Sequence, residues 1–308
     1  MLSRLVRRLG LMVFTVWGTL SLTFVILRLA PGDQATVQLG PDATAAEVEA
    51  LREQLGLDRP VFVQYLSYLR DAVTGDFGES YRFQESAMTV ILDRFPATLL
   101  LTATATALAL LIGPLLGVLA GRAPGGGADR AISGITLVMQ ALPSFWSGIM
   151  LILLMALTLR ILPSAGSGEV KHLVLPAVTL AIPFIALVAR ITRSTVAEVT
   201  SEPYILTARS KGLSERAVLA RHAVRNSVIP VVSIVSLHIG TLMGGAVIVE
   251  QVFAWRGVGS LLVNAVGNRD YAIVQGATVL IALIVVTLNL LTDVLNAQLD
   301  PRIRAAAS

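Results

Sequence analysis

Six stretches of the sequence are almost free of charge, at about residues 9–29, 97–121, 134–159, 173–189, 227–249 and 272–292. Each has roughly the 17 to 25 residues that a helix needs to cross about 30 Å of hydrocarbon. Inside lipid a single segment can satisfy its own backbone polar groups only as a helix, so the pattern predicts an all-α integral membrane protein with six transmembrane helices. Hydrophobic residues make up 55% of the 308 positions and charged ones 14%, which excludes an ordinary soluble domain. The first run follows Arg4, Arg7 and Arg8 as a signal peptide would. It is too long for one and lacks a small-residue cleavage site, so it reads as a retained first span.

Basic residues set the expected orientation. With the N-terminus inside, the segments on that side hold 14 of the 24 Lys and Arg in fewer residues than the opposite side uses for nine. Both termini are therefore expected in the cytoplasm. Membrane topology accounts for the sequence pI of about 9.8, and no nucleic acid is needed to explain it. The chain then divides into 1–30, an N-terminal cytoplasmic segment with the first span; 31–96, an extracytoplasmic helical cap; and 97–308, a core of five spans with a cytoplasmic segment at 195–228.

The chemistry available is limited. There is no Cys, the three His are scattered at 172, 222 and 238, and no HExxH occurs, so no metal site is expected. The glycine-rich GRAPGGGADR at 121–130 lacks the GK[ST] ending of a phosphate-binding loop and reads as a short cytoplasmic turn. The chain is expected to bind no cofactor, so any ATP and Mg that drive it would sit on a separate chain.

In the cap, Thr44 and Glu47 stand at capping-box spacing, Val48, Leu51 and Leu55 recur at helical intervals, and Gly56 supplies a stop. A second helix is predicted from Pro60 to near Gly75. Seven of the chain's 17 aromatic residues fall between Phe62 and Phe95. They suit a docking surface for an extracytoplasmic partner and the packing of the cap equally.

Within the spans, Pro114, Pro143, Pro176 and Pro183 are expected to interrupt helices, and Gly240, Gly244 and Gly245 to thin the fifth. His238 lies near the middle of that span with Thr241 and Gly245 on the same face, which makes the three candidates for a polar pathway together with Gln140 and Ser144. Each can equally bond to a neighbouring helix. Acidic residues occur only near span ends, at Glu250 and Asp293, which disfavours a proton-driven carrier. Ser144 and Ser147 have no paired base, which disfavours an intramembrane hydrolase.

Between the fourth and fifth runs lies TARSKGLSERAVLARHAVRNSVIP, from Thr207 to Pro230, with five Lys or Arg against one acid. Pro203 can open a helix that runs to Lys211, with Gly212 ending it in the left-handed conformation and Ser214 capping a second helix. In that second helix Leu213, Ala217, Ala220 and Val224 share a face, and Arg216, Arg221 and Arg225 lie towards another. A basic amphipathic pair could simply rest on anionic membrane lipid. The small Thr207 and Ala208 just before the glycine suit insertion into a protein groove instead.

Here the sequence resembles the permease subunits of ABC importers, in the peptide branch that pairs two different permeases. The stretch from Tyr204 to Pro230 fits the branch pattern YxxTARxKGLSxRxVLxRHAxRNxxxP, and LRLAPGD at 27–33, LGLDRPVFVQY at 55–65, RFPATLLL at 94–101 and GGAVIVEQVFAWRGVG at 244–259 extend the likeness over almost the whole chain. Gln34, Ser86, Arg256 and Ala272 depart from it, each standing where the family usually has proline.

The resemblance implies a type I ABC importer permease, or MetI-like, fold. It also implies a coupling helix for the ATPase at Leu206, Thr207, Ala208, Arg209, Lys211 and Gly212. The implied partners are a second permease subunit, two cytoplasmic ABC ATPase subunits and an extracytoplasmic peptide-binding protein. The implied cargo is a dipeptide or oligopeptide, with glutathione, nickel chelates or oligosaccharides as variants, and the implied location is the bacterial cytoplasmic membrane. An ATP-independent channel or carrier is the competing reading.

Overall fold

The computed structural model describes residues 2–29, 32–214, 217, 219 and 225–299. It is helical, with one two-residue antiparallel hairpin, β1 (Glu79–Ser80) and β2 (Glu85–Ser86). Its packing separates into two compact units, Met1–Thr98 with Arg256–Thr287, and Leu99–Trp255 with Leu288–Ser308.

The first unit begins with α1 (Leu2–Leu29), whose stretch Gly10–Leu29 is long and apolar enough to cross a membrane. The cap follows as α2 (Gln34–Leu39), α3 (Ala45–Gln54) and α4 (Val61–Thr74). The predicted capping box is present: the Thr44 hydroxyl accepts from Glu47 N–H, and the Glu47 carboxylate accepts from Thr44 N–H at 2.8 Å. Those bonds from Thr44 hold the Glu47 carboxyl below its ordinary pKa. Left-handed Gly56 and Gly75 close α3 and α4 where the sequence predicts stops.

The two readings of the cap aromatics are decided residue by residue. Tyr65 and Tyr68 pack on Phe24 of α1 at ring distances of 5.3 and 5.7 Å, and Phe77 is buried in the same core. Phe95 packs against that core, and the Tyr81 hydroxyl donates to the carbonyl of Asn268. Only Phe62, 69% exposed, and Phe83 keep much of their surface outside. Most of these rings hold the cap in place.

The same core takes in α11 (Val258–Asn268) and the start of α12 (Tyr271–Leu299), through Val258, Leu261, Ile273 and Ala277. Polar bonds pin it: Ser80 Oγ donates to the buried Asp270 carboxylate, the Tyr271 hydroxyl donates to Leu27 O at 3.1 Å, and Thr98 Oγ1 accepts from Val258 N–H at 2.8 Å.

The second unit is organised around α8 (Val170–Ser201), a helix of 32 residues with thirteen buried side chains between Leu175 and Val196. It packs against α6 (Gly127–Ala141), α7 (Ser144–Leu151) and α10 (Arg225–Val252). It also meets α5 (Ala87–Gly121) along a ladder of glycines that the sequence reading passed over. A Cβ added to Gly113, Gly117 or Gly121 would fall 2.7, 2.4 and 2.9 Å from the Cβ of Val188, Thr192 and Val196 respectively. Small residues four apart let two backbones touch, which drives helix association where no hydrophobic effect operates.

Of the four prolines expected to interrupt helices, Pro143 does so: within the run 134–159, α6 and α7 form a broken pair bent by 104° at Leu142–Pro143, and the chain continues as a π-helical segment, Ile152–Thr158. Proline disfavours the helical region for its predecessor, and Leu142 is extended at φ −78°, ψ 126°. Pro114, Pro176 and Pro183, by contrast, interrupt nothing and lie within continuous helices.

By length and composition α1, α5, α8 and α12 can each cross a bilayer, and the bent pair adds a fifth span if its two arms cross as one. The remaining run falls on α10, whose described apolar stretch is the shorter Leu237–Val252.

Candidate functional site

The long helix α8 ends where Glu202 turns extended, and Pro203, with φ preset and no N–H to lose, opens a separate helix, α9 (Pro203–Ser210). Ile205 is completely buried and packs between Val199 on the last turns of α8 and Leu213 beyond the helix end. This single apolar side chain ties α9 to the end of α8. Lys211 N–H donates to Thr207 O at 3.1 Å and Gly212 takes φ +83°, so the helix stops at the glycine, as expected from the sequence. A Cβ at Gly212 would meet nothing within 4 Å, so the need for glycine there is conformational.

The face of α9 opposite Ile205 is open: Tyr204, Thr207, Ser210, Lys211 and Gly212 are all exposed. The Ser214 hydroxyl accepts from Ala217 N–H at 3.4 Å, in keeping with its expected role as an N-cap. The side chains of Leu206, Ala208 and Arg209, and most of the second surface helix including Arg216, Ala220, Arg221 and Val224, lie outside the described residues.

α8, to which α9 is joined, is gripped at several levels. Besides the glycine ladder, Arg193 forks onto Asp129 at the start of α6, with Nη2 donating to Oδ2 at 2.8 Å. Asp129 is buried and also accepts from Gly125 N–H at 2.8 Å and from Ser133 Oγ at 3.2 Å. A bidentate pair of this kind fixes direction as well as distance. The turn read from sequence as a plain connection therefore carries an anchor, and its partner lies 64 residues away.

The five pathway candidates are not gathered into one cavity. Gln140 accepts from Arg190 Nη1 at 3.1 Å and lines a cavity of about 320 Å³ between α6 and α8, which includes none of the other four. Gly245 meets α8 at Leu180, where a Cβ would lie 3.3 Å from Cδ1. Leu180 and Arg190 are ten residues apart, so these contacts sit at levels about 15 Å apart along the helix. His238 is half-buried and its Nδ1 donates to Ile234 O at 3.0 Å. Thr241 is exposed, and Ser144 is half-buried at the first turn of α7. Gly148, missed in the sequence, marks the tighter contact: a Cβ there would lie 3.1 Å from Phe253 and 3.2 Å from Val252.

A long core helix gripped by its neighbours and ending in a small exposed helix is an arrangement that can pass a push from one side of the membrane into the spans. Comparison with known proteins agrees. Residues 113–305 match the sequence model of the binding-protein-dependent transport system inner membrane component, and residues 1–102 match that of the N-terminal part of such membrane components. The chain belongs to this family.

This permease is 38% identical to the di/tripeptide transport system permease protein DppB of Pseudomonas aeruginosa, with 99% of each chain covered. It is equally similar to the oligopeptide permease protein AppB of Bacillus subtilis, over 98% of this chain and 99% of the relative. The glutathione permease protein GsiC of Escherichia coli K12 is also 38% identical, over 99% of each.

Two solved structures share its fold. The inward-facing MetNI methionine ABC transporter aligns with TM-score 0.56 at 20% identity, covering 69% of this permease and 97% of that chain. An amino acid ABC transporter crystallised with histidines gives 0.54 at 15%, covering 68% and 94%. The permease is thus a multi-pass inner-membrane subunit of an ABC transport system with the MetI-like fold expected from its sequence.

Proposed function

We propose that this permease pairs with a second permease to form the path by which dipeptides and oligopeptides, delivered by an extracytoplasmic binding protein, enter the cell. Two cytoplasmic ATPase subunits, which bind ATP and Mg, supply the energy. Both termini lie on the ATPase side, and the ATP sites belong to the partner chains. The observation that carries the reading is the exposed helix α9, pinned by Ile205, ended by Gly212 and joined to the long core helix α8. Closure of the ATPases drives α9 as a rigid lever, and α8 transmits the displacement to α5, α6 and α10, alternating access to the path. Cargo as a short peptide rests on relatives named for di/tripeptides, oligopeptides and glutathione, the last itself a modified tripeptide.

The test is uptake of labelled dipeptide and of glutathione into vesicles holding the complete transporter. Gly212→Val, which puts a β-branched residue at φ +83°, should leave ATP hydrolysis in place and abolish uptake. Uptake that continues without the ATPases would show instead a channel or carrier.

A further inference from the structure

We infer that Arg82, Arg94 and Arg256 form a binding site for the phosphate group of an anionic lipid. The three side chains, from the β1–β2 turn, α5 and the residue before Gly257, line a cavity of about 230 Å³ within the first unit. Among the described residues none of the three makes a hydrogen bond or an ion pair. One carboxylate, Asp270, also lines the cavity, but it already accepts from Ser80 Oγ and from Ile273 N–H at 3.3 Å. Three cations therefore face one committed anion.

The other polar groups are spent on the backbone. Ser260 Oγ donates to Gly257 O at 3.0 Å, Asn264 Nδ2 to Ser260 O at 2.7 Å and Asn268 Nδ2 to Asn264 O at 2.7 Å. The guanidinium groups remain as the donors, and the planar fork of arginine matches a phosphate. The cavity also lies at the first turn of α11, whose N-cap is Gly257 with no side-chain bond, so the positive end of an 11-residue helix adds to the field.

Depth distinguishes a lipid from other oxyanions. Arg94 stands three residues before the apolar run that begins at 97, on the same continuous helix, which puts it about 4.5 Å outside the hydrocarbon. The headgroup layer is roughly 5 to 7 Å thick on each side, so Arg94 stands at phosphate level. Phe83 in the cavity wall and Val263 and Val266 on α11 expose apolar surface of the kind that acyl chains cover. Basic pockets between membrane helices on the cytoplasmic side hold such headgroups, and the same charge chemistry is available here at the opposite face. The inference needs the membrane setting of the family and not the peptide cargo.

The test is titration of the complete, delipidated transporter with phosphatidylglycerol, with retained lipid read by native mass spectrometry. The wild type should hold phosphatidylglycerol roughly thirtyfold more tightly than R94Q/R256Q, the size of two guanidinium contributions at an anionic surface, and should prefer it to phosphatidylcholine. R94K/R256K, which keeps charge without the fork, should fall between the two. If the double variant fails to assemble, R82Q, on the exposed hairpin turn, supports the same comparison with a smaller loss. Equal retention by wild type and an assembled variant would overturn the site. So would equal protection by glycerol 3-phosphate in place of lipid, since the occupant would then be a soluble phosphate, or a variant that loses binding protein while keeping its lipid. None of these readouts depends on transport.

Discussion

Helix α8 contains two prolines and remains one helix of 32 residues, whereas the apolar run from α6 through α7 contains one and turns by 104°. Proline removes a donor in both places. The difference lies in the surroundings. Pro176 is one of thirteen buried residues from Leu175 to Val196, and neighbours on several sides hold α8 to its course. Leu137, Val138, Phe145 and Trp146 flank Pro143 with between 43% and 69% of their surfaces exposed, so the joint is far less tightly enclosed than the middle of α8. In this molecule proline proposes a break, and packing density decides whether it is taken.

The contrast can be broken most severely on the α8 side. Gly117→Leu would drive a side chain into Thr192 and into the carbonyl of Ala189, 2.6 Å from the new Cβ, forcing α5 and α8 apart. A cost of about 3 kcal/mol or more is expected from such overpacking, read as loss of the monodisperse complex in fluorescence-detected gel filtration. Arg193→Ala comes next. It leaves the buried Asp129 with Gly125 and Ser133 alone, and because Arg193 is 36% exposed the loss should be about 2 kcal/mol, below that of a fully buried pair, measured as a lower thermal midpoint.

Pro143→Ala should cost about 1 kcal/mol or less while widening the distribution of distances between spin labels placed at the far ends of α6 and π-helical Ile152–Thr158, since Leu142 regains the helical region. An unchanged distribution would mean that packing alone sets the bend. Pro183→Ala is expected to have the smallest effect, within about 0.5 kcal/mol of wild type, because the surrounding helices already impose its path.

These expectations mark what was legible in the sequence. The apolar runs, the Thr44–Glu47 capping box and the glycine stop at Gly212 depend on neighbours within a few residues, and the sequence displays them. The bounds of α9 were legible for the same reason, from Pro203 to the stop at Gly212. Gly113, Gly117 and Gly121 stand four apart in plain view, yet their meaning depends on Val188, Thr192 and Val196 on another helix. Asp129 looked like one more residue of a glycine-rich turn because Arg193 is far away in the chain. The cap aromatics were ambiguous because composition does not say which ring meets Phe24. Pro143 was read correctly, whereas Pro114, Pro176 and Pro183 were over-read, since propensity is local and packing is not.

The glycine ladder also constrains how the sequence can change. At Gly113 the obstacle to a Cβ is chiefly the side chain of Val188, with the nearest carbonyl at 3.1 Å, so alanine there becomes admissible only if 188 shrinks to glycine in exchange. At Gly117 the carbonyl of Ala189 blocks the space at 2.6 Å, and no partner substitution can remove a backbone atom. Positions 113 and 188 therefore share one fixed volume that two codons may divide between them, while position 117 has nothing to trade.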